Sequence, residues 1–145
     1  MADFTQNSFA NAPQFDVLIF PGSFSTRELS EATTSFVAAQ CSSPDLHAVF
    51  SVSSGILHLT QTGLLWKRRA SAPRVLIPTL QQRYPDTLWQ TKAWNRHENI
   101  WTSSTALSAL DMIAAWMREF FWDRHEAVEC ALLAAGIGSL DDFDY

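Results

Sequence analysis

The residues best placed to do chemistry lie in the run Phe50-Ser51-Val52-Ser53-Ser54-Gly55. Val49, Phe50 and Val52 are strand formers, the run halts at Ser53-Ser54-Gly55, and Ile56, Leu57, Leu59 and Thr60 then follow in a helical pattern. A strand that turns sharply into a helix exposes one side chain at the turn. That side chain stands beside the N–H groups that the first turn of a helix leaves unpaired. Such groups stabilise a negative atom, a thiolate or an oxyanion, and α/β-hydrolases place their serine on an elbow of this kind. Ser53 is therefore read as a nucleophile, a hydrogen-bond donor to a substrate, or a polar turn residue. A serine hydroxyl stays protonated at neutral pH and needs an adjacent base before it attacks. His58, about one helical turn on, is the candidate base, or else a partly buried, hydrogen-bonded imidazole.

Other polar groups fit chemistry less well. His97 and Glu98 fall at a polar turn, where side chains ordinarily face water. His47, and His125 with Glu126, read as surface groups, and the four histidines have no metal-ligand spacing, so no metal and no cofactor is expected. Cys41 and Cys130 form neither a disulfide framework nor a zinc pattern. Trp66, Trp94, Trp101, Trp116 and Trp122 can line an apolar pocket or serve core and interface packing.

The elements that must position these groups follow from pattern. Residues 1–13 are polar and small and read as a flexible lead-in; residues 14–145 read as one domain. Val17 to Phe20, closed by Pro21-Gly22, is a buried strand feeding a tight turn. Ser30 to Gln40 is a helix with Ser30 or Thr26 as its N-cap, and Gly63 closes the helix after the elbow. A short turn and strand follow in the segment around Arg69, then a helix near Pro78 to Tyr84. Residues 87–104 read as two short strands around the polar turn 95–99. Leu107, Leu110, Ile113, Ala114, Met117 and Phe121 mark a long helix, and Asp123 is placed to cap a last one ending at Gly136. Repeated strand–turn–helix units imply an α/β fold, a flavodoxin-like parallel sheet sandwiched by helices. With 145 residues and 47% hydrophobic composition the chain can bury a real core. A net charge of −5, with no basic run longer than Lys67-Arg68-Arg69, argues against nucleic acid as a partner. The opening residues lack a signal-peptide pattern, and no apolar run approaches the ~20 residues of a membrane helix. A soluble, cytoplasmic protein is expected.

Four segments, in order, resemble the ThiJ/PfpI superfamily, also called class I glutamine amidotransferase-like. They are the strand with PGSFSTR, then FSVSSGILHLTQTGLLWKRRAS, then YPDTLWQTKAWNRHENIWTSS, then TALSALDM leading into a long helix. The match spans most of residues 15–122, and its flavour is similar to isocyanide-hydratase-like and related fungal proteins. The resemblance puts the family's nucleophilic cysteine at Ser53 and leaves Pro73 where its histidine is often found. Cys41, ahead of the strand and expected in a loop, cannot substitute by register. Ser23 stands at the second glycine of the family's turn, where its N–H would form the second half of an oxyanion site or serve as an ordinary turn donor. Arg27 matches the family's arginine and would hold an anion, or a surface salt bridge. Asp111 matches a family aspartate; it falls among apolar helix positions and is therefore expected to be buried and hydrogen-bonded.

The family opens with a βαβ portion that this sequence does not show. Either another chain completes the sheet, or the domain is a shortened variant, or the sequence is incomplete; a partner chain, most simply a second copy, is the expectation. The resemblance implies a repurposed enzyme acting without redox chemistry on a small apolar metabolite, with Ser53, Ser54 and His58 as catalytic candidates. Ser23, Arg27, Gly55 and Trp101 are the candidates for binding its substrate. A non-catalytic descendant acting as partner or scaffold, and a serine hydrolase using Ser53 with His58, are the alternatives. An enzyme should keep a tryptophan-lined pocket at Ser53.

Overall fold

The computed structural model describes residues 9–23, 25 and 27–137. The first strand, β1 (Val17–Phe20), leads through the turn at Pro21-Gly22 to α1 (Glu31–Cys41). Ser30 starts that helix as expected, its Oγ accepting the Thr33 N–H at 3.1 Å. β2 (Ala48–Val52) then runs into a single-turn 3-10 segment, Ser53–Gly55, and on into α2 (Ile56–Leu59). A further turn, Thr60–Thr62, ends at Gly63 with φ 76°, the left-handed stop the sequence predicts. β3 (Arg69–Ser71), α3 (Ile77–Arg83), β4 (Leu88–Gln90), β5 (Trp94–His97), β6 (Ile100–Ser103), α4 (Ala106–Phe120) and α5 (His125–Ala134) complete the order.

β1, β2 and β6 pair in parallel, and β5 lies antiparallel on β6, giving the sheet order β1-β2-β6-β5. β3 and β4 form a second, parallel pair. It is stitched beside the larger sheet by the Ser71 N–H to Thr102 Oγ1 at 2.7 Å and the Arg69 N–H to His97 Nδ1 at 3.2 Å. The architecture is the expected flavodoxin-like α/β one, a largely parallel sheet flanked by five helices. No helix among the described residues is long and apolar enough to cross a membrane.

Period-two alternation along the strands divides the core. Leu18, Val49 and Ile100 face one side and pack with Ile56, Leu59, Leu65, Ile77 and Leu80 from the helices there. Val17, Ala48, Phe50 and Trp101 face the other and pack on Ala109, Met112 and Trp116 of α4. α5 sits behind α4, with Val128 and Leu132 against Ala114.

Five expectations need correction. β1 is not a buried strand: it is the edge of the sheet, none of its four residues is buried, and Ile19 is 59% exposed. The polar turn expected over 95–99 is only Glu98-Asn99, because Asn95, Arg96 and His97 pair with β6 as part of β5. Cys41 is the last residue of α1 and not a loop residue; its half-buried side chain packs against the larger apolar cluster. Asp123 lies within the 3-10 turn Trp122–Arg124 and makes no side-chain cap; Arg124 occupies the N-cap of α5. Asp111 is exposed, because the inward face of α4 is set by Ala109 and Met112 and its neighbour in sequence points away from both.

Two contacts hold the layers in register. The first joins β1 to the elbow helix at Gly55. A β-carbon at Gly55 would stand 2.7 Å from the Pro21 carbonyl oxygen and 2.8 Å from the Phe20 carbonyl carbon, so only glycine lets these backbones meet. The second joins α4 to α5: Arg118 donates from Nε and from Nη2 to the Glu129 carboxylate at 2.6 and 2.8 Å. That hydrogen bond, opposed by burial and helped by the charges of Arg118 and His125, holds the Glu129 carboxyl below the usual glutamate range. A lowered folded-state value means the carboxylate contributes stability above the ordinary glutamate pKa, and the contribution is lost as pH falls through the lowered one.

Gly55→Ala is expected to lose about 3 kcal/mol of unfolding free energy, whereas Gly63→Ala, where an added β-carbon meets no atom within 4 Å, should lose only about 1 kcal/mol through its left-handed backbone. Chemical denaturation of the pair reads the difference, and equal losses would show that the Gly55 approach is not tight. Glu129→Gln should lower stability by about 1–2 kcal/mol at neutral pH. Its deficit should shrink below about pH 4, as read from urea unfolding at stepped pH.

Candidate functional site

The elbow is present. Ser53 closes β2 with φ 51°, one of three non-glycine residues at positive φ among the described residues. A β-carbon in the left-handed region is sterically disfavoured, so the chain spends conformational energy to turn there. The Ser53 N–H is anchored on Ser103 Oγ at 3.3 Å, and the Ser103 hydroxyl donates on to the Ser51 carbonyl at 3.4 Å. Ser54 Oγ accepts the Ser23 N–H at 2.9 Å, which ties the turn after β1 to the turn after β2. Ser23, Ser53, Ser54 and Gly55 therefore meet at the C-terminal ends of the parallel strands, where open α/β sheets bind ligands.

Other expected site residues stand apart or carry different bonds. The Ser23 N–H, expected as an oxyanion donor, is committed to Ser54, because the two turns approach within hydrogen-bond distance. Ser54 is thereby a clamp on the elbow. His58 is half-buried on α2, and no hydrogen bond joins it to Ser53, so the base a serine nucleophile needs is not in contact with it. Arg27 is exposed, with its own N–H on Ser25 Oγ at 3.3 Å. Trp101 is 3% exposed and its indole lies on the α4 face of the sheet, tilted against Trp94 with rings 5.8 Å apart and covered by the Arg96 guanidinium at 4.8 Å. Strand alternation carries it away from the elbow, so it is a core residue there. Cys41 is no alternative nucleophile, since burial pushes its thiol up against the opposing pull of Arg68.

His97 closes β5, and Glu98 opens the two-residue turn to β6. His97 serves the sheet by accepting the Arg69 N–H, and Glu98 pairs with Arg68 at 3.0 Å. Among the described residues no group of three or more His, Cys, Asp and Glu side chains is arranged to hold a metal.

The expected tryptophan-lined pocket does not coincide with the elbow. A cavity of about 620 Å³ lies between the segment before α1, the run 57–65 and α3, with Trp66 on its wall. A hollow of about 280 Å³ lies on the α4 side, bounded by His47, Trp101, Trp116 and Phe120. Neither touches Ser53.

The sequence reading missed Ser103, the acceptor for the elbow N–H, and the hydroxyl row beneath it. Ser51 pairs in register with Thr102, and Thr102 bonds the Ser71 N–H, so three hydroxyl side chains cross β2, β6 and β3. Ser51 Oγ and Ser71 Oγ are buried with no partner in the described structure. The signal was present as serine and threonine inside the otherwise apolar runs FSV and IWTSS, where strand alternation makes a polar residue inward-facing.

No protein-family model matches the sequence, and no curated protein matches it. Solved structures do. A DJ-1 superfamily protein from Salmonella typhimurium superposes with a TM-score of 0.67 at 16% identity, over 86% of this chain and 66% of that one. A ThiJ/PfpI family protein from Pseudomonas syringae gives 0.68 at 22% identity, over 94% of this chain and 55% of that one. An AraC family transcriptional regulator from Pseudomonas putida gives 0.68 at 18% identity, over 88% and 69%. The chain thus spans about two thirds of the length of the Salmonella protein and about half that of the P. syringae one. At these identities the likeness is one of fold, and the fold of this chain is that of the DJ-1/ThiJ/PfpI structures.

Proposed function

We propose that the elbow at Ser53 binds a small apolar metabolite through a carbonyl or carboxyl group and that the chain, a ThiJ/PfpI-like protein with serine in place of the family cysteine, catalyses a non-redox step on it. Hydration, elimination, isomerisation and cyclisation all develop charge on an oxygen that N–H donors at a helix start can stabilise. Ser53 Oγ orients that oxygen. The observation that carries this reading is the left-handed backbone at Ser53. A non-glycine residue held there costs about 1–3 kcal/mol and persists where its surroundings over-determine it, as they do at ligand sites. A setting in fungal specialised metabolism, on the isocyanide-hydratase-like branch, is what the resemblance suggests.

A second reading, a non-catalytic descendant working as a partner or scaffold, is favoured by two observations. Neither large cavity reaches Ser53, and an AraC family regulator shares the fold. The covalent serine-hydrolase reading is the weakest, because His58 makes no bond to Ser53.

The partner is also a proposal. Among the described residues β1 pairs only with β2, and Ile19 on that edge strand is 59% exposed. An open edge and an uncovered apolar side chain fit continuation of the sheet onto another chain, most simply a second copy.

Titration with acetone, N-methylformamide and acetate, followed through amide chemical shifts, tests the elbow. The amides of Ser53, Ser54 and Gly55 should shift saturably. Ser53→Gly should gain up to about 1 kcal/mol of stability by releasing the strained backbone while weakening that response. Elbow amides indifferent to every probe would overturn the enzyme reading in favour of the scaffold, and labelling of folded protein by a fluorophosphonate would favour the hydrolase. Light scattering after size exclusion should give twice the 16.3 kDa of one chain; a well-folded monomer would remove the second-copy proposal.

A further inference from the structure

The cavity of about 620 Å³ lies within the ~300–1,000 Å³ of small-molecule sites. It is built by elements remote in sequence, and each is fixed. Leu29 donates its N–H to Gln61 Oε1 at 2.7 Å, which ties the entrance of α1 to the run after α2. Thr87 Oγ1 donates to the Leu65 carbonyl at 3.0 Å, and the Lys67 N–H donates to the Asp86 carbonyl at 3.0 Å, which tie the loop after α3 to the same run. The walls therefore belong to the folded core.

The lining is divided in character. Leu57, Leu65, Leu76 and Leu80 supply an apolar surface, and Leu65 and Leu80 are each 2% exposed. The charged groups on the same wall are two carboxylates, Glu28 and Asp86, against one guanidinium, Arg83. Arg83 is drawn toward the Tyr84 ring, 5.8 Å from its centroid. Among the described residues neither Glu28 nor Asp86 forms an ion pair. Close by, the Trp66 ring on the cavity wall carries the Lys67 ammonium on its face at 4.3 Å, so this rim already holds a cation on an aromatic surface.

We propose that this cavity is a second binding site, separate from the elbow, for a small amine with an apolar body. The ammonium meets Glu28 and Asp86, and the body lies against Leu57, Leu76 and Leu80. Charge sets the class. Arg83 and Lys67 already lie on the Tyr84 and Trp66 rings, whereas Glu28 and Asp86 are in no described ion pair, so a ligand ammonium finds open partners that a ligand carboxylate does not. The site does not rest on the elbow's chemistry: Ser53 and Ser54 do not line it.

The test compares three probes of equal body, phenylpropylamine, phenylpropanol and phenylpropionate, by methyl chemical shifts of Leu57 and Leu76 in the full chain. The amine should bind saturably and about tenfold more tightly than the alcohol, the ratio expected for one charge-assisted contact. The propionate should bind most weakly. The double variant Glu28→Gln, Asp86→Asn should bring the amine to the affinity of the alcohol and leave the alcohol unchanged. Both positions are exposed, and an unaltered thermal unfolding midpoint confirms that the variant is folded. Ser53→Ala should leave all three affinities as they were. Equal affinities, a preference for propionate, an unaffected double variant, loss of binding in Ser53→Ala, or no saturable shift at all would each overturn the proposal.

Discussion

The arrangement depends on how closely two backbones approach at Gly55. The carbonyls of Phe20 and Pro21, at the end of β1, occupy the space where any other residue at position 55 would put its β-carbon. Because that space is open to carbonyl oxygens alone, the helix after β2 can lie against the turn after β1, and the Ser54 hydroxyl reaches the Ser23 N–H. The parallel register of β1 on β2, Val17 on Ala48 through Phe20 on Ser51, delivers both strand ends to the same level. The elbow is the meeting of two strand ends held by one glycine and one serine, and Ser53 is the residue left over to face outward.

The chemistry available there is bounded by what surrounds it. The described ion pairs, Arg68 with Glu98, Arg96 with Glu119, and Arg118 with Glu129, hold turns and helices elsewhere. Serine without an adjacent imidazole is a hydrogen-bonding group, not a nucleophile, at neutral pH. What remains at the elbow is oriented dipole, and oriented dipoles act on charge that develops in a bound ligand. Stabilising charge in a bound ligand asks less of this site than nucleophilic attack by Ser53 Oγ, which would need a base beside it.

Much of the fold was legible because local signals agreed with one another. Val17 to Phe20 followed by Pro-Gly, the Ser30 cap, and Gly63 and Gly136 as left-handed stops carried their meaning within a few residues, and the apolar spacing of α4 marked the helix, although Leu107 and Leu110 on it are exposed. What was not legible depended on partners distant in sequence. Asp111 read as inward because apolar residues flank it, yet only the packing of Ala109 and Met112 decides which way the helix faces. Trp101 was placed near the ligand because it is large and aromatic, but alternation along β6 turns its ring to the opposite face. Ser103 gave no sign of its role, since the N–H it receives belongs to a residue in another strand. Strand Leu88–Gln90 was merged with the hairpin after it, for its pairing with β3 has no local turn to announce it.

The bond from the Ser53 N–H to Ser103 Oγ spans 50 residues of chain, and the strand that carries Ser103 is also the central partner of β2. Contacts of that span are late events, since a long loop must close before they return any energy. On the ribosome the strained turn at Ser53 therefore cannot be held until β6, 50 residues further along the chain, has left the exit tunnel. Until then β2 is a short apolar strand without its inner neighbour.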